Sequence, residues 1–220
     1  MNFSNMTTMI FDLDGTLFQT EKLAIPAFRR TYERLHAKGI WNTYPTNEQI
    51  TSVFGLTTAD LWKALLPDAN DAERAIADEI LLEEELAHLE KGYGELYPQV
   101  PETLSYLKSR GIRLYIASNG GERYVKGVAQ AMKIDSFFTR IYSAGEYKTA
   151  RKEELVAKLL AYDGSSLAVM VGDRRSDVKA GKANGLYVIG CDFGFARENE
   201  LEGADEIIHD FTQLRKLVCV

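Results

Sequence analysis

TTMIFDLDGTLF, residues 7–18, runs an apolar stretch straight into two carboxylates one residue apart. Met9, Ile10 and Phe11 have the composition of a buried strand, and Asp12 and Asp14 follow at once. The stretch alone admits two readings. Asp-Gly between apolar runs is a strong hairpin signal. Alternatively, a parallel strand over 8–12 carries both carboxylates into the crevice beyond its carboxyl end, where open α/β sheets bind ligands. The choice depends on what closes the other strands.

From about residue 95 onward, helix-like and strand-like segments alternate. Helical spacing covers 100–111, 122–132, 152–162 and 175–184, and apolar strands cover 112–118, 167–173 and 186–190. Shorter strands fall within 137–145 and 204–210. This alternation implies an α/β fold, a largely parallel sheet with helices on both faces. Residues 20–92 break the rhythm with helical runs only, so they read as an insertion after the first strand. Its hinges are the turn-rich GTLFQT (15–20) and GYGELYP (92–98). The predicted domains are therefore a discontinuous core, 1–17 with 94–220, and a helical cap, 18–93.

Complementary groups do close the other strands. IRLYIAS ends in Ser118-Asn119-Gly120-Gly121 just before a helix, and a hydroxyl with free N–H groups there suits a phosphate oxygen. An ordinary N-cap is the plainer reading of that segment alone. LAVMVGD runs into Arg174-Arg175-Ser176-Asp177, adding Asp173 and Asp177. Two carboxylates ~4 Å apart repel by about 4 kcal/mol at an effective dielectric of 20. Four at one sheet edge call for a cation, and hard oxygen ligands without thiolate or imidazole select Mg²⁺.

The 220 residues carry 26 Lys and Arg against 32 Asp and Glu, a formal charge of −6 with no basic stripe, which argues against a nucleic-acid or anionic-membrane partner. No apolar run approaches the ~20 residues that span a bilayer. MNFSNMTTM lacks the charged and apolar segments of a secretory leader, and Cys191 and Cys219 form neither a disulfide framework nor a zinc motif. A cytoplasmic monomer is the expectation.

DLDGTLF (12–18), Ser118-Asn119, a lysine at a helix start and GDRRSD (172–177) resemble, in order, the four motifs of the haloacid-dehalogenase-like hydrolases. The inserted helices resemble the cap of the phosphoglycolate-phosphatase and β-phosphoglucomutase branch. The resemblance covers nearly the whole chain and implies a Rossmann-like core and a phosphatase acting on a small phosphorylated molecule. It makes Asp12 the nucleophile and Asp14 the general acid and base. Asp12, the Asp14 carbonyl, Asp173 and Asp177 would hold Mg²⁺, while Thr16, Ser118 and Asn119 serve the phosphoryl group. Lys152 is favoured over Lys148 as the motif lysine, because Lys152-Glu-Glu-Leu-Val opens an amphipathic helix.

Other residues take plainer readings. Arg174 and Arg175 read as solvated surface charges. Phe54-Gly55-Leu56-Thr57-Thr58 falls where related caps present a substrate loop, or is apolar packing with a helix N-cap; Trp41, Trp62, Leu81 and Leu82 read as cap core. A phosphomutase is the alternative, disfavoured because Gly55 to Trp62 holds no arginine. A non-catalytic phospho-ligand-binding module is disfavoured because no acid is missing. A cap hinged over a sheet edge implies gating by opening and closure.

Overall fold

The computed structural model describes residues 6–165 and 167–218. Cys219 lies outside them, and Cys191 is a buried free thiol. Six parallel strands form one sheet: β1 (Thr8–Phe11), β2 (Arg113–Ser118), β3 (Arg140–Ser143), β4 (Ala168–Gly172), β5 (Tyr187–Cys191) and β6 (Glu206–Ile208), in the order β3-β2-β1-β4-β5-β6. Each segment read as a strand coincides with one of them, β5 running one residue past the predicted 186–190. The hairpin reading of Asp14-Gly15 does not hold, since β1 pairs in parallel with β2 and β4 on its two edges.

Burial on both faces explains the unbroken apolar run. Met9 and Phe11 point into a core with Leu114, Ile116, Val169 and Val171, while Ile10 points into another with Tyr115, Ala117 and Met170. Phe11 registers with Ile116 and with Val171, so the carboxyl ends of β1, β2 and β4 lie side by side. The chain runs outward from β1 through β2 to β3, then crosses to β4 on the opposite side. That reversal opens the crevice in which such sheets bind ligands.

Flanking helices α5 (Val100–Ser109), α6 (Glu122–Ala131), α7 (Ala144–Tyr147), α8 (Lys152–Asp163), α9 (Arg175–Ala183) and α10 (Gln213–Val218) follow the four inserted ones. The insertion comprises α1 (Glu21–Ala37), α2 (Asn47–Ser52), α3 (Thr58–Leu65) and α4 (Asp71–Glu90). Capping boxes at Thr46/Gln49 and Asn70/Glu73 start α2 and α4, and the Thr57 hydroxyl accepts from the Asp60 N–H to start α3. These helices bury a cluster of their own around Phe28, Tyr32, Leu35 and Trp62, with Leu81 inside it and Trp41 packed at its edge. The two connecting segments are bonded to each other: Gln19 N–H donates to the Glu95 carbonyl at 2.8 Å and Tyr97 N–H to the Leu17 carbonyl at 3.0 Å.

Candidate active site

Asp12 leaves β1 with its N–H bonded to the Val171 carbonyl of β4 at 2.9 Å, and its carboxylate is buried. The Lys152 ammonium, on the first residue of α8, lies 2.8 Å from Asp12 Oδ1 and 2.6 Å from Asp177 Oδ1. Burial alone would lower the Lys152 pKa, but Asp12 and Asp177 outweigh it and push it up. Lys148, the other candidate, is exposed and ends α7 in a left-handed conformation.

Three acids converge here. Asp12, Asp173 and Asp177 each offer a carboxylate oxygen, and these lie within 4.8 Å of one another. Asp173 Oδ1 accepts from Thr16 Oγ1 at 3.1 Å, and its Oδ2 from the Phe195 N–H at 3.1 Å. Asp177 Oδ2 accepts from the Arg174 N–H at 2.9 Å, which starts α9. Burial, then Asp12 and Asp177, raises the Asp173 carboxyl well above the usual range; burial and Asp12 push Asp177 up to about 6. Burial also raises Asp12, against the opposing pull of Lys152. Two glycines make the gathering sterically possible. At Gly15 (φ +80°) a Cβ would sit 2.3 Å from Asp173 Oδ2, and at Gly172 one would sit 2.2 Å from the Asp177 carboxyl carbon.

The second acid of the opening pair has a different setting. Asp14 Oδ1 accepts from Tyr124 OH at 2.6 Å and from Thr20 Oγ1 at 2.7 Å, so its side chain stands outside the three-acid cluster. Burial raises its pKa, with Tyr124 and Thr20 opposing. Asp12 and Asp14 both line a cavity of about 350 Å³ between the sheet edge and the inserted helices. Ser118, Asn119, Gly120 and Gly121 line it too, at the N-terminus of α6. Thr16, placed with them by the sequence, is not among the lining residues; it is fully buried and its hydroxyl donates to Asp173.

The inserted helices supply the roof. Phe54, Gly55, Leu56 and Thr58 line the cavity, as do Leu81 and Leu82. Asn119 Nδ2 donates to the Gly55 carbonyl at 2.8 Å, and Phe54 packs edge-on against Phe195 at 5.0 Å, so roof and sheet edge touch directly. Arg174 is not a solvated charge: it is only 7% exposed, its guanidinium stacks on Phe195, and its side chain packs beneath Gly55. Arg175 is exposed, as expected, and donates to the Asn199 carbonyl at 2.9 Å.

Sequence reasoning missed Tyr124, Thr20, Asp78 and Glu85, all of them cavity-lining. A signal existed for Glu85. It interrupts the four-residue spacing Ala77-Leu81-Leu89 along the buried face of α4.

The family model described as haloacid dehalogenase-like hydrolase matches residues 9–191. The phosphoglycolate phosphatase of Pseudomonas putida is 28% identical over 94% of this chain and 77% of its own. That of Aquifex aeolicus is 28% identical over 96% of this chain and 93% of its own. In fold, the chain resembles a predicted phosphoglycolate phosphatase from Haemophilus somnus at TM-score 0.84 and 21% identity, covering 96% and 97% of the two chains. The family match takes in all four acids and Lys152, and the chain belongs to the haloacid dehalogenase-like hydrolases, as a phosphatase of the phosphoglycolate-phosphatase-like branch.

Proposed function

We propose that this phosphatase is Mg²⁺-dependent and hydrolyses a small phosphomonoester in two steps, through an aspartyl phosphate on Asp12. One observation carries the reading. Asp12 and Asp14 open into the same cavity as Ser118 and the α6 N-terminus, while Asp173 and Asp177 stand behind Asp12 with Lys152 between. The helix N-terminus suits the phosphoryl oxygens. Residues 18–93 would act as the cap, excluding water from the first step.

The donor set fits the metal. The Lys152 ammonium pairs with Asp12 and Asp177, the Arg174 guanidinium lies 3.8 Å from Asp173 Oδ2, and burial, reinforced by repulsion among the three carboxylates, still raises the Asp173 and Asp177 pKa values. Oxygen-only ligands suit Mg²⁺, which Asp12, Asp173 and Asp177 would hold with the Asp14 carbonyl. The bound ion would neutralise charge on the transferring group.

In the first step an Asp12 carboxylate oxygen attacks phosphorus while the bond to the leaving oxygen breaks. Lys152 keeps Asp12 ionised and oriented. Asp14, its carboxyl raised by burial, gives its proton to the leaving alcohol. In the second step Asp14 takes a proton from water, which attacks phosphorus and frees Asp12. Tyr124 and Thr20 keep Asp14 in place for both transfers. A mutase would need to seat a second phosphate, and the roof of the cavity offers acids rather than cations. Borohydride quenching during turnover tests the intermediate: a phosphorylated Asp12 is reduced to homoserine, seen in the peptide containing residue 12, whereas an unchanged peptide during active turnover contradicts it.

A further inference from the structure

The cap side of the cavity is mostly apolar, with two acids. Asp78 and Glu85 lie seven residues apart on α4, and both line it. Asp78 has a partner, the Trp62 indole N–H at 3.0 Å. Glu85 is 9% exposed, and no hydrogen bond or ion pair among the described residues reaches it. A buried carboxyl without a hydrogen-bond partner is destabilising, and a ligand group that bonds it relieves that cost on binding. The one cation lining the cavity among the described residues is Arg123, exposed on the α6 side.

We propose that Glu85 determines specificity by binding a hydroxyl group of the leaving alcohol, so that the enzyme favours phosphomonoesters of neutral, hydroxyl-bearing alcohols over esters whose leaving group carries a carboxylate or a second phosphate. The assignment rests on the phosphatase reading of the same site. An anionic group beside Glu85 would lie against Asp78 with no cation among the described residues on the cap side of the cavity to pair with it, and like charges in a low-dielectric pocket repel strongly. A hydroxyl has no such penalty, and a carboxyl in its neutral form both donates to it and accepts from it. Burial reinforced by Asp14 and Asp78 favours that neutral form. The apolar lining takes the alcohol's carbon frame. Sites built to bond a hydroxyl discriminate sharply against analogues that lack one.

The test compares kcat/KM for glycerol 1-phosphate, O-phosphoethanolamine, 2-phosphoglycolate and phenyl phosphate, with Mg²⁺, in wild type, Glu85→Gln and Glu85→Leu. The wild type should favour glycerol phosphate over phosphoglycolate by about tenfold or more. The ratio of glycerol phosphate to phenyl phosphate should fall about tenfold in Glu85→Leu and hold in Glu85→Gln, which keeps a donor and an acceptor. A wild-type preference for phosphoglycolate overturns the assignment, as does an unchanged ratio in Glu85→Leu. A preference for phosphoethanolamine that vanishes in Glu85→Gln overturns it in favour of a cation site. Should Glu85→Leu fail to fold, the wild-type order and Glu85→Gln decide by the same criteria. Failure of the wild type to cleave any ester overturns the phosphatase reading itself, and this assignment with it.

Discussion

Lys152 Nζ bridges Asp12 and Asp177, 2.8 Å from one carboxylate and 2.6 Å from the other, with all three side chains buried. Removing one member of such a network leaves uncompensated buried charge, at a cost of ~3–5 kcal/mol. Lys152→Met should therefore melt well below wild type in EDTA and recover part of the loss on adding Mg²⁺. Its kcat for an aryl phosphate should fall by about 100-fold or more. Melting curves with and without metal, alongside initial rates, check both. A variant as stable as wild type in EDTA would mean that the lysine does not balance the acids.

Gly15 holds φ +80° with Asp173 against the space a side chain would fill. Gly111 also holds φ +80° but has nothing nearby, so Gly111→Ala measures backbone strain alone, of order 1 kcal/mol. Gly15→Ala should add displacement of Asp173 to that strain. The Mg²⁺ concentration giving half-maximal activity should rise about tenfold in Gly15→Ala and stay unchanged in Gly111→Ala. Equal behaviour of the two variants would remove Asp173 from metal binding.

Tyr124 OH and Thr20 Oγ1 both donate to Asp14 Oδ1. If Asp14 moves the proton in both steps, loosening it should lower kcat more than it raises KM. Tyr124→Phe should lose about tenfold in kcat with KM for phenyl phosphate little changed. A pure KM effect would instead place Tyr124 on the substrate.

Glu85 connects stability to pH. Burial, with Asp14 and Asp78, raises its carboxyl well above the ordinary 4.5, and Tyr124 also faces it. The native state therefore keeps a proton that the unfolded chain releases, so its contribution to stability is full below the unfolded pKa and is lost as pH rises through the folded one. Glu85→Gln carries no such proton. In EDTA its Tm relative to wild type should grow more favourable between about pH 4.5 and about pH 8. A difference independent of pH would show that Glu85 titrates as an ordinary surface acid.

The sheet was legible from residue 95 onward because parallel strands buried on both faces are continuously apolar and alternate with amphipathic helices. Asp12, Asp173 and Asp177 were legible for a related reason: Asp12 and Asp173 directly follow strands, Asp177 lies on the first turn of the helix after β4, and strand ends share one edge of the sheet. The roof was not legible. Asp78 reaches the cavity through the tertiary position of α4, and nothing local to an acidic helix face tells solvent from a pocket; Glu85 is marked only by its place in the apolar spacing of that helix. Arg174 failed similarly. Flanked by acids it reads as solvated, but packing against Phe195 and Gly55 depends on a loop and a helix insertion far from it in the chain. Tyr124 falls on the first turn of α6, where a tyrosine has no signature of its own.

The central claim is that Asp12 accepts the phosphoryl group with Mg²⁺ bound. It is tested most directly by hydrolysis of phenyl phosphate by wild type and Asp12→Asn, each with Mg²⁺ and with EDTA. The wild type should turn over with Mg²⁺, and none of the other three should exceed background. Equal turnover by Asp12→Asn with Mg²⁺ would contradict it.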